Sequence, residues 1–305
     1  RPILRAAAES GAFINLDMEQ YELRDLTLEL AKHLLASPDG ASAGRLGIVL
    51  QAYLRDAETM TQELLNWLRV HERSLTIRLV KGAYWDTEVA QARQFHWPVP
   101  VHEDKGETDL AFERLTRTLL GVHPMVTTAI ASHNVRSIAH AMASAEALGL
   151  SKDQIEFQLL YGMGDALQAA IVSMGYPVRV YTPVGELIPG MAYLVRRILE
   201  NTSNESFLRQ DFFQELGVEA LLAMPTPSAR RTGTPPTASG DGASGEPWAD
   251  FSKAPVRLEM ARALTFVRSQ LGREALLLIG PEAVRTDDRR LSYNPSAPSE
   301  VLGSV

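Results

Sequence analysis

The chain of 305 residues is 45% apolar and 22% charged, proportions of a globular protein that exclude global disorder. A formal net charge of −7 supplies no basic face for nucleic acid, and the absence of cysteine excludes disulfides, thiolate metal sites and cysteine nucleophiles. No apolar run reaches the roughly 18 residues of a spanning helix, and Arg1–Asn15 lacks the features of a secretory signal, so a soluble cytoplasmic protein is expected. Because it begins at Arg1 rather than methionine and ends at Val305 just after a strand-like stretch, the chain reads as a piece of something longer.

Strand signals fall at Ala12–Leu16, Leu46–Tyr53, Leu75–Val80, Met125–Ser132, Gln154–Leu160 and Val178–Pro183. Each is short and almost continuously apolar, as strands buried on both faces of a parallel sheet are. Helical spacing links Leu23, Leu26, Leu30 and Leu34, then Leu64, Leu65 and Leu68, then Ile138, Met142 and Ala145. Strand and helix in alternation predict an α/β fold with right-handed crossovers. No Gly-x-Gly-x-x-Gly turn follows a strand, which disfavours an open doubly wound sheet. Polar residues at the strand ends (Asp17, Gln51, Arg78, Lys81, His133, Asn134, Tyr181) favour a (β/α)8 TIM-type barrel whose mouth collects them. Six strands leave that barrel, residues 1–224, two short of eight.

After Met224 the composition changes. Of the 23 residues Pro225–Pro247, 16 are Gly, Pro, Ser or Thr, so residues 225–249 are expected to form a flexible linker. Pro255–Leu271 has an amphipathic helical pattern, and Ala275–Gly280 with Arg290–Tyr293 reads as a hairpin-like pair. That is too little for an independent core, and residues 250–305 are expected to open a second domain.

Three stretches carry candidate chemistry. In Arg78-Leu79-Val80-Lys81-Gly82-Ala83-Tyr84-Trp85 a buried strand brings an arginine and a lysine to the mouth, followed by two aromatics. A buried arginine needs an anionic or electron-rich partner, Gly82 admits close backbone approach, and Tyr84 and Trp85 offer flat faces. A structural salt bridge with aromatics capping the core fits the same residues. Tyr193 through Glu200 is helical, and its Arg196 and Arg197 point about 100° apart, so both reach one carboxylate only if the helix lies across the mouth. Glu200 is spaced to orient either guanidinium, and a solvated basic helix face is the alternative. His133 and Asn134 stand at a strand end without a second ligand at zinc spacing, which suits hydrogen bonding to a cofactor or a structural role. Asp17 either joins the mouth or caps the following helix, and Tyr181 serves the site or packs at the rim.

Together these stretches resemble the proline dehydrogenase barrel of bifunctional bacterial proline-utilisation flavoproteins. The matching segments are Asn15–Glu19, Gln51–Tyr53, Arg78–Asp86, Ser132–Asn134, Glu156–Met163, Arg179–Tyr181 and Tyr193–Asn201, in register over about residues 10–215. The resemblance implies a non-covalent FAD and oxidation of L-proline to Δ1-pyrroline-5-carboxylate. Carried over by residue, Arg78 lies near the reactive flavin nitrogen and Gln51 bonds the flavin ring. Met18, Lys81, Gly82, Ala83, Tyr84, Trp85, His133, Asn134 and Glu200 join them as cofactor contacts. Arg196 and Arg197 hold the proline carboxylate, Tyr181 and Tyr193 flank its ring, and Asp17 organises the site.

Further along, residues 250–305 resemble the start of an aldehyde dehydrogenase domain, whose NAD site and cysteine nucleophile would lie beyond Val305. The family's active-site lysine, on a strand before those present, has no counterpart. A quinone electron acceptor and peripheral membrane contact are implied by the resemblance only. The alternatives are an inactive scaffold with partial FAD contacts, or another α/β-barrel enzyme binding a phosphorylated ligand at Lys81-Gly82.

Overall fold

The computed structural model describes residues 2–37, 46–202, 219, 222–227 and 248–305, in two compact units, 1–248 and 249–305. In the first unit six parallel strands follow one another across one sheet: β1 (Ile14–Leu16), β2 (Leu46–Gln51), β3 (Leu75–Val80), β4 (Val126–Ala131), β5 (Ile155–Leu160) and β6 (Val178–Tyr181). Every neighbour pair is parallel. Consecutive order without a reversal is the order of a (β/α)8 barrel, here with six of its strands, whereas an open doubly wound sheet reverses at a switch point. Helix α1 (Pro2–Ser10) precedes β1, and α2 (Arg24–Ala36) and α3 (Ala57–Val70) follow β1 and β2. Two helices, α4 (Trp85–Gln94) and α5 (Lys105–Leu120), connect β3 to β4. Then α6 (Val135–Ala147), α7 (Asp165–Ser173) and α8 (Leu187–Thr202) follow β4, β5 and β6. Among the described residues no helix is long and apolar enough to cross a membrane.

The two faces of the sheet have different tasks. On β3, Leu75, Ile77 and Leu79 are buried, while Thr76, Arg78 and Val80 are half-buried on the opposite, inner face. The outward side chains join one cluster with Leu64 and Leu68 of α3 and Phe112, Leu115 and Leu119 of α5. At about 1.5–3 kcal/mol per fully buried side chain, this contact holds the helices and leaves the inner face for other groups. The sheet curls: the Arg179 guanidinium on β6 lies 5.4 Å from the ring centre of Phe13, just ahead of β1. Gly47 on β2 makes room for that ring, since a Cβ there would stand 2.5 Å from it and from the Asn15 side chain. Strands β1 and β6, three and four residues long, are the edges of the described sheet, and short edges are poor templates for unwanted pairing.

Two expectations are corrected. The buried face of α2 is Arg24, Leu28, Ala31 and Leu35, whereas Leu23, Leu26 and Leu30 are exposed. Arg24 sets that rotation: Nη1 donates to both oxygens of Asp56 at 2.7 and 2.9 Å, just before α3, so the helix faces inward on its Arg24 side. In the second unit, α9 (Ala254–Arg268) is followed by β7 (Arg273–Glu274) and two hairpins, and the pairing expected between 275–280 and 290–293 does not form. Instead β8 (Leu277–Ile279) pairs with β9 (Glu282–Val284), and β10 (Leu291–Asn294) with β11 (Ala297–Ser304). The local turns win over the longer connection: Asn294 Oδ1 accepts from the Ser296 N–H at 2.9 Å and closes the second hairpin at once. Of the expected linker, residues 228–247 lie outside the described residues.

Glu88 on α4 is buried, and its carboxylate accepts from the Tyr21 N–H at 3.3 Å. Burial, reinforced by the charge of Glu22, pushes its carboxyl up to about 7. A raised acid favours the native state below its unfolded value, and that contribution is lost as pH rises through about 7. Thermal melts should therefore show the native protein losing stability from about pH 4.5 to about pH 7. Glu88→Gln, which keeps the acceptor, should flatten that slope and be the more stable form at the alkaline end. An unchanged slope would contradict the assignment.

Candidate active site

Strand register places the inner polar residues side by side. Val49 pairs with Arg78, Arg78 with Ala129 and Ala129 with Glu156. One step up, Ala131 pairs with Gln158 and Gln158 with Arg179, and Leu160 pairs with Tyr181. Paired residues share a face, so Arg78, Glu156, Gln158, Arg179 and the end of β2 at Gln51 all look into the curl. Above them, at the carboxyl ends of the strands, lies a cavity of about 370 Å³, within the range of about 300–1,000 Å³ typical of small-molecule sites.

Arg78 is its central group. Nη1 donates to Asp17 Oδ1 at 2.5 Å and Nε donates to Gln158 Oε1 at 2.6 Å, while the guanidinium lies 5.9 Å from the Tyr181 ring centre. The buried-arginine reading and the salt-bridge reading thus describe one arrangement, since the ion pair itself lines the cavity. Asp17 caps no helix; it also accepts from Asn15 Nδ2 at 2.7 Å. Gln51 Nε2 donates to the Met18 carbonyl at 3.1 Å, tying the end of β2 to the chain beyond β1.

The loop after β3 forms one wall. Lys81 Nζ donates to Asp109 Oδ1 at 2.5 Å, and Lys105 donates to the other oxygen at 3.1 Å. Burial pulls the Lys81 ammonium below its ordinary range, with Asp109 opposing that shift. Gly82 has φ +136°, and a Cβ there would collide with the Tyr53 ring. Ala83 and Tyr84 complete the wall.

Helix α8 crosses the mouth, as a joint grip by Arg196 and Arg197 requires: Tyr193 and both arginines line the same cavity. Arg196 donates to the Tyr84 hydroxyl and lies 5.1 Å from that ring centre; its buried Nε has no hydrogen-bond partner. Arg197 lies 5.1 Å from the Tyr193 ring centre, and Tyr193 stacks with Tyr181 at 5.9 Å. Burial raises the Tyr84 phenol, opposed by the charge and hydrogen bond of Arg196 and supported by Glu19.

Two candidate residues, Trp85 and Asn134, stand apart from the cavity lining. Trp85 opens α4 and its Nε1 donates to the His102 carbonyl at 2.8 Å. Asn134 caps α6, accepting from the Ser137 N–H at 2.9 Å. Glu200 is on α8, and its side chain lies outside the described residues. His133 does line the cavity, but Nε2 accepts from the Leu160 N–H at 3.2 Å and the ring also bonds the Met163 backbone. Burial and the nearby Arg197 charge push it below the ordinary range, which keeps it neutral. Gln158 and Glu19, which also line the cavity, were not singled out from the sequence. The signal for Gln158 was present: Glu156 and Gln158 alternate with apolar residues on an otherwise buried strand.

A sequence model described as proline dehydrogenase matches residues 1–210. The chain belongs to the proline dehydrogenase family. It is similar to the bifunctional protein PutA of Klebsiella aerogenes, 28% identical over 313 residues covering 96% of this chain and 24% of that protein. The proline dehydrogenase of Deinococcus radiodurans is 34% identical over 210 residues, 69% of this chain and 60% of that one. Among solved structures, proline utilization A (PutA) from Bdellovibrio bacteriovorus, inactivated by N-propargylglycine, matches with a TM-score of 0.88 and 40% identity. The match covers 100% of this chain and 32% of that one. The chain spans about a quarter of the length of the Klebsiella relative. Membership in this family implies a flavin cofactor.

At Gly82 both the left-handed backbone and the Tyr53 ring exclude a side chain. Gly82→Ala should destabilise the protein by about 1–3 kcal/mol, read as a fall in the urea midpoint. A midpoint equal to that of the native chain would show that the loop relaxes freely.

Proposed function

We propose that this chain carries the flavin- and substrate-binding part of an enzyme that oxidises L-proline to Δ1-pyrroline-5-carboxylate with non-covalent FAD. One observation carries the reading: Arg196 and Arg197 meet the stacked Tyr181–Tyr193 pair on one cavity, facing Arg78. Two guanidiniums beside an aromatic wall suit a small ring bearing a carboxylate.

The residues present fit a flavin. The donors Arg78 and Lys81 line the cavity and suit an electron-rich ring system, and Gly82, packed too tightly on the Tyr53 ring to carry a Cβ, presents bare backbone to the same cavity. In this reading Arg78, Gln51, Lys81, Gly82 and Ala83 hold the FAD, with Met18 and Tyr84 beside it. Trp85, His133 and Asn134 shape the wall through the backbone bonds described above, and Glu200 supports the arginine pair from α8. The FAD supplies a two-electron acceptor. Arg196 and Arg197 anchor the carboxylate, Tyr181 and Tyr193 hold the ring in place, and Arg78, fixed by Asp17, places positive charge where negative charge develops. Proline would give up a C–H hydrogen with its electron pair to that acceptor and its amine proton to water, so that the C–H and N–H bonds break as the C=N bond forms.

We also propose that residues 225–249 act as a linker and that residues 250–305 begin an aldehyde dehydrogenase domain using NAD. A quinone acceptor, met by peripheral contact with a membrane, completes the scheme.

The full-length protein should purify yellow, and proline should bleach the flavin under anaerobic conditions. Retained colour without bleaching would favour an inactive scaffold. Arg197→Ala should weaken proline binding about tenfold to a hundredfold, the worth of a hydrogen bond between charged groups, with flavin content unchanged. Parallel loss of flavin and proline would contradict the assignment.

A further inference from the structure

The polar groups on the inner face form one hydrogen-bonded chain that reaches from the cavity to the exposed edge of the sheet. Arg78 Nε donates to Gln158 Oε1 at 2.6 Å, and Gln158 Nε2 donates to Glu156 Oε1 at 2.7 Å. Glu156 is gripped at both oxygens by Arg179, from Nε at 2.7 Å and Nη2 at 2.8 Å. We propose that Gln158 is a positioning residue for Arg78, and that the Glu156–Arg179 pair decides which end of the Gln158 amide faces it.

An amide side chain has two ends of opposite character, and a flip exchanges acceptor for donor. Facing Arg78 with its nitrogen, Gln158 would set donor against donor. The Glu156 carboxylate only accepts, so it claims the amide nitrogen and leaves the oxygen for Arg78. Burial alone would push the Glu156 carboxyl up, but the hydrogen bonds from Arg179 and Gln158, with the charges of Arg179 and Arg78, hold it below its ordinary range. It therefore stays ionised and acceptor-only near neutral pH. Asp17 binds Arg78 at Nη1 alone and so leaves the guanidinium free to pivot; a second bond at Nε fixes its plane. The reach across β4 is open because Ala129 and Ala131 stand between β3 and β5 at these register positions.

This inference rests on the proposed function only where Arg78 is taken to face the flavin, so the test has one arm without flavin. In the flavin-free full-length protein, the Arg78 Nε–H should exchange slowly with solvent. Gln158→Leu, and separately Glu156→Gln, should speed that exchange at least about tenfold, the loss of one hydrogen bond to a charged group. The double variant Glu156→Gln/Gln158→Glu exchanges the two side chains: the carboxylate then accepts from Arg78, and the new amide donates to it while accepting from Arg179. It should restore slow exchange, whereas Gln158→Glu alone sets two carboxylates against each other and should not.

In the holoenzyme the single variants should shift the flavin reduction equilibrium toward the oxidised form and lower kcat with KM little changed, and the double variant should recover both. Unchanged Nε–H exchange in both single variants, or a double variant no better than they are, overturns the proposal. If exchange responds as expected but neither those variants nor Arg78→Lys moves the flavin equilibrium, the functional reading of Arg78 fails and the positioning stands. If Gln158→Leu does not fold, Glu156→Gln and the double variant still decide.

Discussion

The constraint on which the rest depends is the placement of Arg78 inside a curled sheet. Helices seal the outer face of the sheet and its inner face is only partly solvated, so a side chain on either is apolar or supplied with partners. On β3 the outward row meets the first condition and Arg78 needs the second. Its partners come from three other strands: Asp17 beyond β1, Gln158 on β5, and through Gln158 the Glu156–Arg179 pair joining β5 to β6. Compensating one charge therefore cross-links most of the sheet from the inside. The alanines on β4 belong to the same solution, because a larger side chain there would stand in the way of the contact.

At the mouth, the site is closed from two sides by segments whose own anchoring lies elsewhere. Gly82 lets the loop after β3 fold over Tyr53, and Tyr84, carried by that loop, meets Arg196 from α8. His133, neutral and bonded to the backbone after β5, steadies the opposite rim. The aromatic rings set guanidinium positions: Tyr84 under Arg196, Tyr193 under Arg197 and Tyr181 beside Arg78. Stacked contacts of this kind suit arginine and fail for lysine, whose charge is a hydrated point rather than a plane.

Most of the architecture was legible in the sequence because strands buried on both faces are nearly unbroken apolar runs. All six were recognisable, Leu75–Val80 at both ends and the other five with one or both ends misplaced by one or two residues where pairing stops and the chain turns. What periodicity missed was rotational phase. The α2 leucines repeat at helical spacing, yet the inward face is set by Arg24, a charge whose partner Asp56 is 32 residues away in sequence. The pairing in 249–305 was misread for a related reason, since two apolar runs look alike whether they pair with each other or each with its own neighbour. Within the site, single strand ends pointed to Asp17, Arg78 and Tyr181, whereas Gln158 gains its meaning only from register across β4. Trp85 and Asn134 lie beside the right loops, but as backbone anchors, a distinction that residue type does not carry.

The division of labour among the cations follows from their acid–base behaviour. Lys81 and Lys105 share Asp109, and burial draws the Lys81 ammonium downward, so its charge depends on keeping that carboxylate. A guanidinium does not deprotonate in a protein and tolerates burial against a ring face. Arginines at the mouth make its charge insensitive to pH and to the desolvation that burial imposes. The lysine, fixed by Asp109 at the wall, is left to support a loop, where a partly suppressed charge does least harm. The same reasoning explains why Arg78, the central charge of the cavity, is an arginine with two fixed bonds: a lysine there would offer one point of attachment and lose its proton more easily as water is expelled.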